Sequence, residues 1–572
     1  MLGQETVLDY ESLVDEYLLP SMENGTVLFD PNQLPFIMLL SDFSARSNSL
    51  VGAYTCLVFA NQYFGRLADS FINGNSRSIR EKQFNLEFIL VNVAKTFQNT
   101  IAADHPNLNN KSLTYQLNKL SASFHFPVLS YKTMDRMVDE FSLFRKIEGS
   151  SLRTDQGLYE ELKAHYKIID KKVSSARNPM ELVLSRSDYS GSEITIVSSL
   201  LGVGDRFENM VNERALEDED LVIVNLMASY SDIFVQTYDK LNGFRAEVLE
   251  FNEGDLKDLQ IEFSSGSPDS TAFEKACRIF SPLRARVLDV GKKNDTKNLV
   301  LLTPSVNLMP IPPDLILGNF CGDFNASVIL TGDLAASVEL SHELQSLQLP
   351  KSFVGLGNPM RKTGVKLAIN LGSIDVHRGG NQSVIEELSN LPPLPDAVNE
   401  VIEISQLFEE NSLDLNERAS LSRALEDAQK RASLHAPPVI NFATHAFAVN
   451  YAGDINLPAM LSADVGNLEV ITANEVGAFD LAGAHVLLSA CDTAAGIISR
   501  SDLNLTGFVE AFANAGAKLI SASLWPVKSK TAKDVSVEYI SSFKKGGLKN
   551  AINAVQLKSG ITDRSPFIFI YP

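Results

Sequence analysis

The chain is poor in cysteine and tryptophan, with 4 and 1 among its 572 residues. Cys56, Cys277, Cys321 and Cys491 are scattered, with neither metal-ligand spacing nor the rhythm of a disulfide framework. Free thiols in a reducing cytosol are the natural reading, and no metal site or cofactor is expected. No stretch approaches the roughly 18 apolar residues that a membrane-spanning helix needs. The start, Met1-Leu2-Gly3-Gln4-Glu5-Thr6, has neither the basic region nor the apolar core of a signal peptide. A cytoplasmic protein without membrane contact is therefore expected. Positive charge is also in deficit: Lys and Arg number 50 against 70 Asp and Glu, for a net charge of −20. That opposes binding to nucleic acid or anionic membrane by bulk attraction. The chain has no Walker motif, so a nucleotide-driven switch finds no support. Gly202-Val203-Gly204-Asp205 is glycine-rich but lacks the rest of a phosphate or dinucleotide loop, and it reads as a turn. No repeat period emerges either.

What is present is enough chain for two to four domains. Hydrophobic content of 45% and charge of 21% are ordinary for a globular protein. Residues 1–184 read as a helical region, with apolar spacing clearest over Leu50–Phe71 and Phe84–Ile101. From 185 to 350 the pattern alternates. Ile194–Val197, Leu221–Val224, Arg245–Phe251 and Asn298–Leu302 read as strands, and Ser231–Leu241 as a helix. Such alternation predicts a parallel sheet with helices on its faces. A third region, 351–572, opens with Ser352–Pro359, a strand that runs into a glycine turn. Arg361–Pro395 is then a poor core former, and it reads as a regulatory loop or a plain surface loop. Ala397–Phe408 and Ala419–Ala432 read as helices, the first with a broad apolar face.

Two short apolar runs follow, each ending on a reactive side chain. One reads Val439-Ile440-Asn441-Phe442-Ala443-Thr444-His445-Ala446; the other reads Ala484-His485-Val486-Leu487-Leu488-Ser489-Ala490-Cys491-Asp492-Thr493. Runs of this length suit strands buried on both faces of a parallel sheet. Open α/β sheets carry their sites at the carboxyl ends of strands, which is where His445 and Cys491 fall. A cysteine thiolate is a nucleophile, and an imidazole beside it can hold it ionised or protonate a leaving amine.

Thr444-His445 after a buried strand, the segment Leu488-Ser489-Ala490-Cys491-Asp492-Thr493-Ala494 and the segment Ser523-Leu524-Trp525-Pro526-Val527 together resemble the CHAT proteases. These are the caspase-like and separase-like cysteine peptidases of bacteria. Ile471–Val476, Phe512–Ala517 and Ser565–Ile570 agree in order with other segments of that family. The resemblance is strong from about residue 393 to the end, weaker back to about 298, and absent before that. His445 and Cys491 lie 46 residues apart, close to the roughly 50 of a caspase dyad.

The resemblance implies a caspase-like three-layer α/β sandwich with a mostly parallel sheet. A degenerate caspase-like half (185–350) and the helical N-terminal region would precede it. It implies a cysteine endopeptidase with Cys491 as nucleophile and His445 as base and acid. Backbone N–H groups of Ala446 and Cys491 would bind the oxyanion. Asp492, Trp525, Val527 and Lys528 would border the substrate pocket. The expected partners are a protein substrate and an activating protein or processing event. The implied setting is bacterial defence or regulated cell death, by gasdermin activation or as a CRISPR-associated protease. Most relatives carry glycine where this chain has Ala446, so the alternative is a catalytically weak pseudoprotease that acts as a protein-interaction module. His485 lies within its strand and reads as structural.

Overall fold

The computed structural model describes residues 34–47, 56, 85, 87–96, 98–99, 220–229, 231–239, 243–264, 268–288, 298–305, 308, 310–322, 326–331, 334–360, 369–370, 391, 393–451, 455–464, 467–489, 498–499, 502–503, 508–525, 527–556 and 567–572. Within the predicted helical region these include α1 (Leu34–Ser47) and helical residues over 87–96. The other expectations for 1–184, and the strand at 194–197, lie outside the described residues.

Among the described residues one sheet of eleven strands has the order β3-β2-β1-β4-β5-β17-β16-β13-β9-β6-β8. Its strands are β1 (Leu221–Ala228), β2 (Asp232–Asp239), β3 (Gly243–Glu250), β4 (Asn298–Thr303), β5 (Ala326–Thr331), β6 (Ser352–Gly357), β8 (Glu410–Leu415), β9 (Pro438–Ala443), β13 (His485–Leu488), β16 (Leu519–Ser523) and β17 (Phe567–Tyr571). Two parallel blocks make up most of it. In one, β1, β4, β5 and β17 are parallel neighbours. In the other, β16, β13, β9, β6 and β8 are. They meet at the antiparallel pair β16–β17, so the last strand of the chain joins the two blocks. A second sheet has the order β10 (Ala446–Tyr451), β11 (Ile455–Asp464), β12 (Asn467–Thr472) and β7 (Ile369–Asn370), with β10 starting directly after His445, and β14 (Ile498–Ser499) pairs with β15 (Asp502–Leu503) separately.

The expected helix over Ser231–Leu241 is β2 instead, paired antiparallel with β1 and β3. Its sequence, Asp232-Ile233-Phe234-Val235-Gln236-Thr237-Tyr238-Asp239, is rich in β-branched and aromatic residues, which fit a pleated surface. A tight turn starts the strand: Ser229 N–H donates to the Asp232 carbonyl at 2.8 Å, and Asp232 N–H donates to Ser229 Oγ at 3.0 Å. The alternation at this point is therefore an antiparallel meander. The parallel crossover comes with β4, after α2 (Glu253–Ser264) and α3 (Ser270–Leu288).

Strand side chains alternate between faces, and each face is covered. Ile440 and Phe442 of β9 join a core with α2, α3, α4 (Pro313–Leu317), α7 (Leu421–Ser433), α8 (Ala473–Val476) and α9 (Phe508–Asn514). Val439 and Ala443 point the other way, into a core with α5 (Leu334–Glu343), α6 (Pro395–Ser405) and α10 (Ser529–Gln556). This gives the three layers that the sequence predicts. Glycine sets how close α6 comes to the sheet. A Cβ on Gly355 of β6 would lie 2.4 Å from Val401 Cγ1, and one on Gly357 would lie 3.0 Å from the Ala397 carbonyl oxygen. The helix therefore rests on strand backbone rather than on side chains.

The cysteine expectation is corrected. Cys277 of α3 and Cys321 form a disulfide across 44 residues of sequence, with their Cα atoms 5.5 Å apart. No rhythm announces it, because the packing of α3 against α4, and not local spacing, brings the two together. Arg284, fully buried two turns beyond Cys277 in sequence, crosses the same junction. It donates to the Leu315 carbonyl at 2.7 Å and to the Cys277 carbonyl at 2.5 Å. Such a pair is closed in an oxidising compartment and open in a reducing one, so its state follows the redox poise around the chain. Closing a loop of that length removes at most about 4 kcal/mol of unfolded-chain entropy. Cys277→Ser combined with Cys321→Ser is expected to lose about 2–4 kcal/mol of stability against the oxidised protein, and nothing against the reduced one. Denaturant unfolding with and without reductant, beside a non-reducing peptide map, checks this.

Candidate active site

The site is built at the carboxyl end of the second parallel block. Leu488 of β13 pairs with Phe442 of β9. The pairing continues one residue past the strand, where Ser489 N–H donates to the Phe442 carbonyl at 3.0 Å. His445 stands three positions after Phe442, and Cys491 stands three positions after Leu488. Cys491 and Asp492 lie outside the described residues.

The Thr444-His445 step is clamped from β11. Thr444 is buried, and its hydroxyl donates to the Leu461 carbonyl at 2.7 Å. Leu461 N–H donates to the His445 carbonyl at 2.9 Å. His445 itself is half-buried. The bonded step between His445 and Leu461 fixes the alternation of the β10–β11 ladder. The next pair, Ala446 and Met460, is then the non-bonded one, and it turns the Ala446 N–H away from β11. Among the described non-glycine residues, positive φ occurs only at Asn358, Asn416 and His435. Ala446 is an ordinary strand residue, and its conformation does not require the glycine found in most relatives.

A cavity of about 20 Å³ lies behind these strand ends, with room for about one water. Thr444, Ser489, Ser523 and Val527 line it, so all three sequence motifs reach one place. Glu400 of α6 also lines it, and the sequence reading missed this residue. Glu400 is 1% exposed. It accepts a hydrogen bond from Asn441 Nδ2 of β9 at 2.9 Å, and the hydroxyls of Ser489 and Ser536 both lie within hydrogen-bond reach of it. The two serine hydroxyls are 2.7 Å apart. Burial pushes the Glu400 carboxyl up to about 7, while these donors and the charge of Lys533 pull it down. A signal was available: Glu400 falls on the same buried stripe of α6 as Ala397, Val401 and Ile404.

Trp525 is half-buried, with its ring 6.2 Å from Phe263 of α2 and 6.1 Å from Phe273 of α3. Val527 is half-buried against the opposite core, and Lys528 is exposed just before α10. His485 is buried and stacks on Phe543, and burial lowers its imidazole to about 3, so it is neutral. Among the described residues no group of three or more His, Cys, Asp or Glu is placed to hold a metal ion. No described helix is long and apolar enough to cross a membrane.

The fold and these strand ends define a mostly parallel α/β protein with a histidine at the end of one central strand and a cysteine shortly after its neighbour. The CHAT domain family model matches residues 278–564, and the chain belongs to the CHAT domain family. No curated protein sequence matches the chain. It is similar to the Arg-specific cysteine proteinase gingipain R at 9% identity, with a TM-score of 0.29, covering 56% of this chain and 74% of that one. It is also similar to chains in two crystal structures of the Saccharomyces cerevisiae separase–securin complex. Identities there are 11% and 10%, both with TM-scores of 0.34, covering 100% and 98% of this chain. The chain spans 47% and 44% of those two.

The buried carboxyl makes stability depend on pH. Glu400 titrates near 7 when folded and near 4.5 when free, so between those values the folded state holds the extra proton. Stability therefore falls as pH rises through this window, by about 3 kcal/mol in all. Glu400→Gln removes that loss. The stability of the variant relative to the native protein is expected to rise by about 3 kcal/mol from pH 4 to pH 8, as read by denaturant unfolding at both values.

Proposed function

We propose that the chain is a cysteine endopeptidase that makes limited, regulated cuts in a specific protein partner. The observation that carries this reading is the β9–β13 register. Phe442 pairs with Leu488, and in sequence His445 and Cys491 each follow three positions later, beyond the carboxyl ends of these two central strands. The free thiol, with a pKa of about 8.5, is a poor nucleophile at neutral pH until an imidazole takes its proton. In the proposed reaction His445 takes that proton, and the Cys491 sulfur attacks the scissile carbonyl. The oxyanion that forms accepts from the N–H groups of Ala446 and Cys491. Collapse breaks the C–N bond, His445 gives its proton to the leaving amine, and a thioester remains. Water activated by His445 then hydrolyses the thioester and frees the enzyme. The ordinary strand conformation of Ala446 favours this over the pseudoprotease reading.

We divide the chain into a helical region (1–184), a non-catalytic caspase-like half (185–350) and the protease half (351–572). By family resemblance the setting is defence or regulated cell death in the cytoplasm, where one cut switches a partner on. The protease itself is held nearly inactive until a partner or a cut releases it. The support is the sequence of Arg361–Pro395, a poor core former, and a large region without catalytic motifs.

Cys491→Ala and His445→Ala should each lower cleavage of the partner by more than about a thousandfold while circular dichroism stays unchanged. Full activity in Cys491→Ala would end the protease assignment. Specificity supplies a second test. Relatives commonly read Trp-Pro-Val-Asp-Asp where this chain reads Trp525-Pro526-Val527-Lys528-Ser529, so both acidic positions are gone. An exposed ammonium about 4 Å from a substrate cation repels it by about 1 kcal/mol, about fivefold in rate. A peptide library scanned at the residue before the cut should disfavour arginine and lysine. Lys528→Asp should shift the preference toward them, and a strong preference of the native enzyme for basic residues would defeat the assignment of this pocket.

A further inference from the structure

We propose that Glu400 is a positioning residue for the dyad: from α6 it ties the two strands that lead to His445 and Cys491 into one fixed arrangement. This rests on the reading of His445 and Cys491 as the catalytic pair. Asn441, which donates to Glu400 at 2.9 Å, stands four residues before His445. Ser489, which also bonds Glu400, stands two residues before Cys491. Ser536 completes the set from α10, with its hydroxyl 2.7 Å from that of Ser489. One carboxylate thus joins β9, β13 and two helices directly behind the strand ends.

The tie depends on charge. As a carboxylate, Glu400 is an acceptor only: Asn441 and one of the two serine hydroxyls donate to it, while the other serine's proton lies between the two serine oxygens. Protonated, it becomes a donor itself, and one serine hydroxyl must reverse. The charged and titratable groups on the elements packed around it are Asp396 and Glu403 on its own helix, Lys533 and Asp534 on α10, Lys528 just before α10, His485 in β13, and His445 past the end of β9. Lys533 is paired with Glu403 at 2.5 Å, and it is the cation that favours the ionised form of Glu400. His485 is held neutral by burial. The folded pKa of Glu400, about 7, places the change within the working range of a cysteine nucleophile.

The test is the rate at which iodoacetamide alkylates Cys491 in the full chain from pH 5 to 9, followed by peptide mass spectrometry. The native protein should show an inflection near pH 7 that Glu400→Gln lacks. Glu400→Gln and Ser489→Ala should each react at least fivefold more slowly at pH 8, with thermal unfolding midpoints no lower than that of the native protein by more than a few degrees. Ser489→Ala stands in if Glu400→Gln does not fold. Native rates and profile in either folded variant would overturn the proposal. His445→Ala separates the two readings. If it alkylates at the native rate, the dyad assignment fails and takes this inference with it. If it slows while Glu400→Gln does not, only the positioning role fails.

Discussion

The parallel pairing of β9 with β13 is the interaction on which the site depends. It is a short ladder, from His485 opposite Val439 to Leu488 opposite Phe442, with one further bond from Ser489. Register is strict here because both faces are buried. A slip of one residue would carry Ile440 and Phe442 out of one core and Asn441 into it. The same alternation that packs the sheet therefore fixes how far each chain travels before it reaches its reactive residue. Clamping Thr444 and His445 onto β11 then stops the first of these segments at a defined point.

Burying a carboxylate beneath such a site is costly unless its charge is met by donors. Glu400 has Asn441 of β9 and the hydroxyl pair of Ser489, just past β13, and Ser536 of α10, with Lys533 close enough to help. It reaches them because α6 lies directly on β6, which the two glycines permit. Asn358 reinforces the same edge from a left-handed turn. Its N–H donates to the Ala443 carbonyl at 2.9 Å, its side-chain oxygen accepts from Leu394 N–H at 2.6 Å, and its amide donates to Asn416. The ends of β6 and β9 and the start of α6 are thus fastened together, so the cavity wall does not rely on apolar packing alone.

Some of this was legible in the sequence. The strands Ser352–Gly357 and Asn298–Thr303 and the helices at 395–405 and 421–433 follow from apolar periodicity, which strong burial reinforces. Strand β2, expected as a helix over Ser231–Leu241, was not legible, because an almost fully buried strand has no alternation to read and its length also fits a short helix. Nor was the Cys277–Cys321 bond, which depends on the docking of α3 and α4. At the site, Thr444-His445 and the segment to Cys491 stand out through their order and spacing together with the Trp525 segment, which carry the family resemblance; either alone is a weak signal. Glu400, Asn441 and Ser489 do not stand out. Each is a common polar residue, and only the folding of α6 onto β6 brings Glu400 and Asn441 together across 41 positions.

The two parallel blocks meet near the proposed pocket. β17, from the end of the chain, pairs with β5 on one side and β16 on the other. Trp525, two residues after β16, rests on Phe263 and Phe273, and Phe273 stacks on Phe320 at 5.3 Å. Phe320 adjoins Cys321, and Phe273 lies one helical turn before Cys277. A continuous path of ring contacts and one covalent bond therefore runs from the wall beside the pocket into the half without catalytic motifs. Cores of this density transmit displacement rather than absorb it. A shift of α3 relative to the sheet would move the Trp525 ring directly, whereas Glu400 and its partners on the opposite face would feel it only through β16. The molecule thus supports its site from two sides by different means: apolar aromatic packing behind the tryptophan, and a charged hydrogen-bonded tie behind the histidine and cysteine strands.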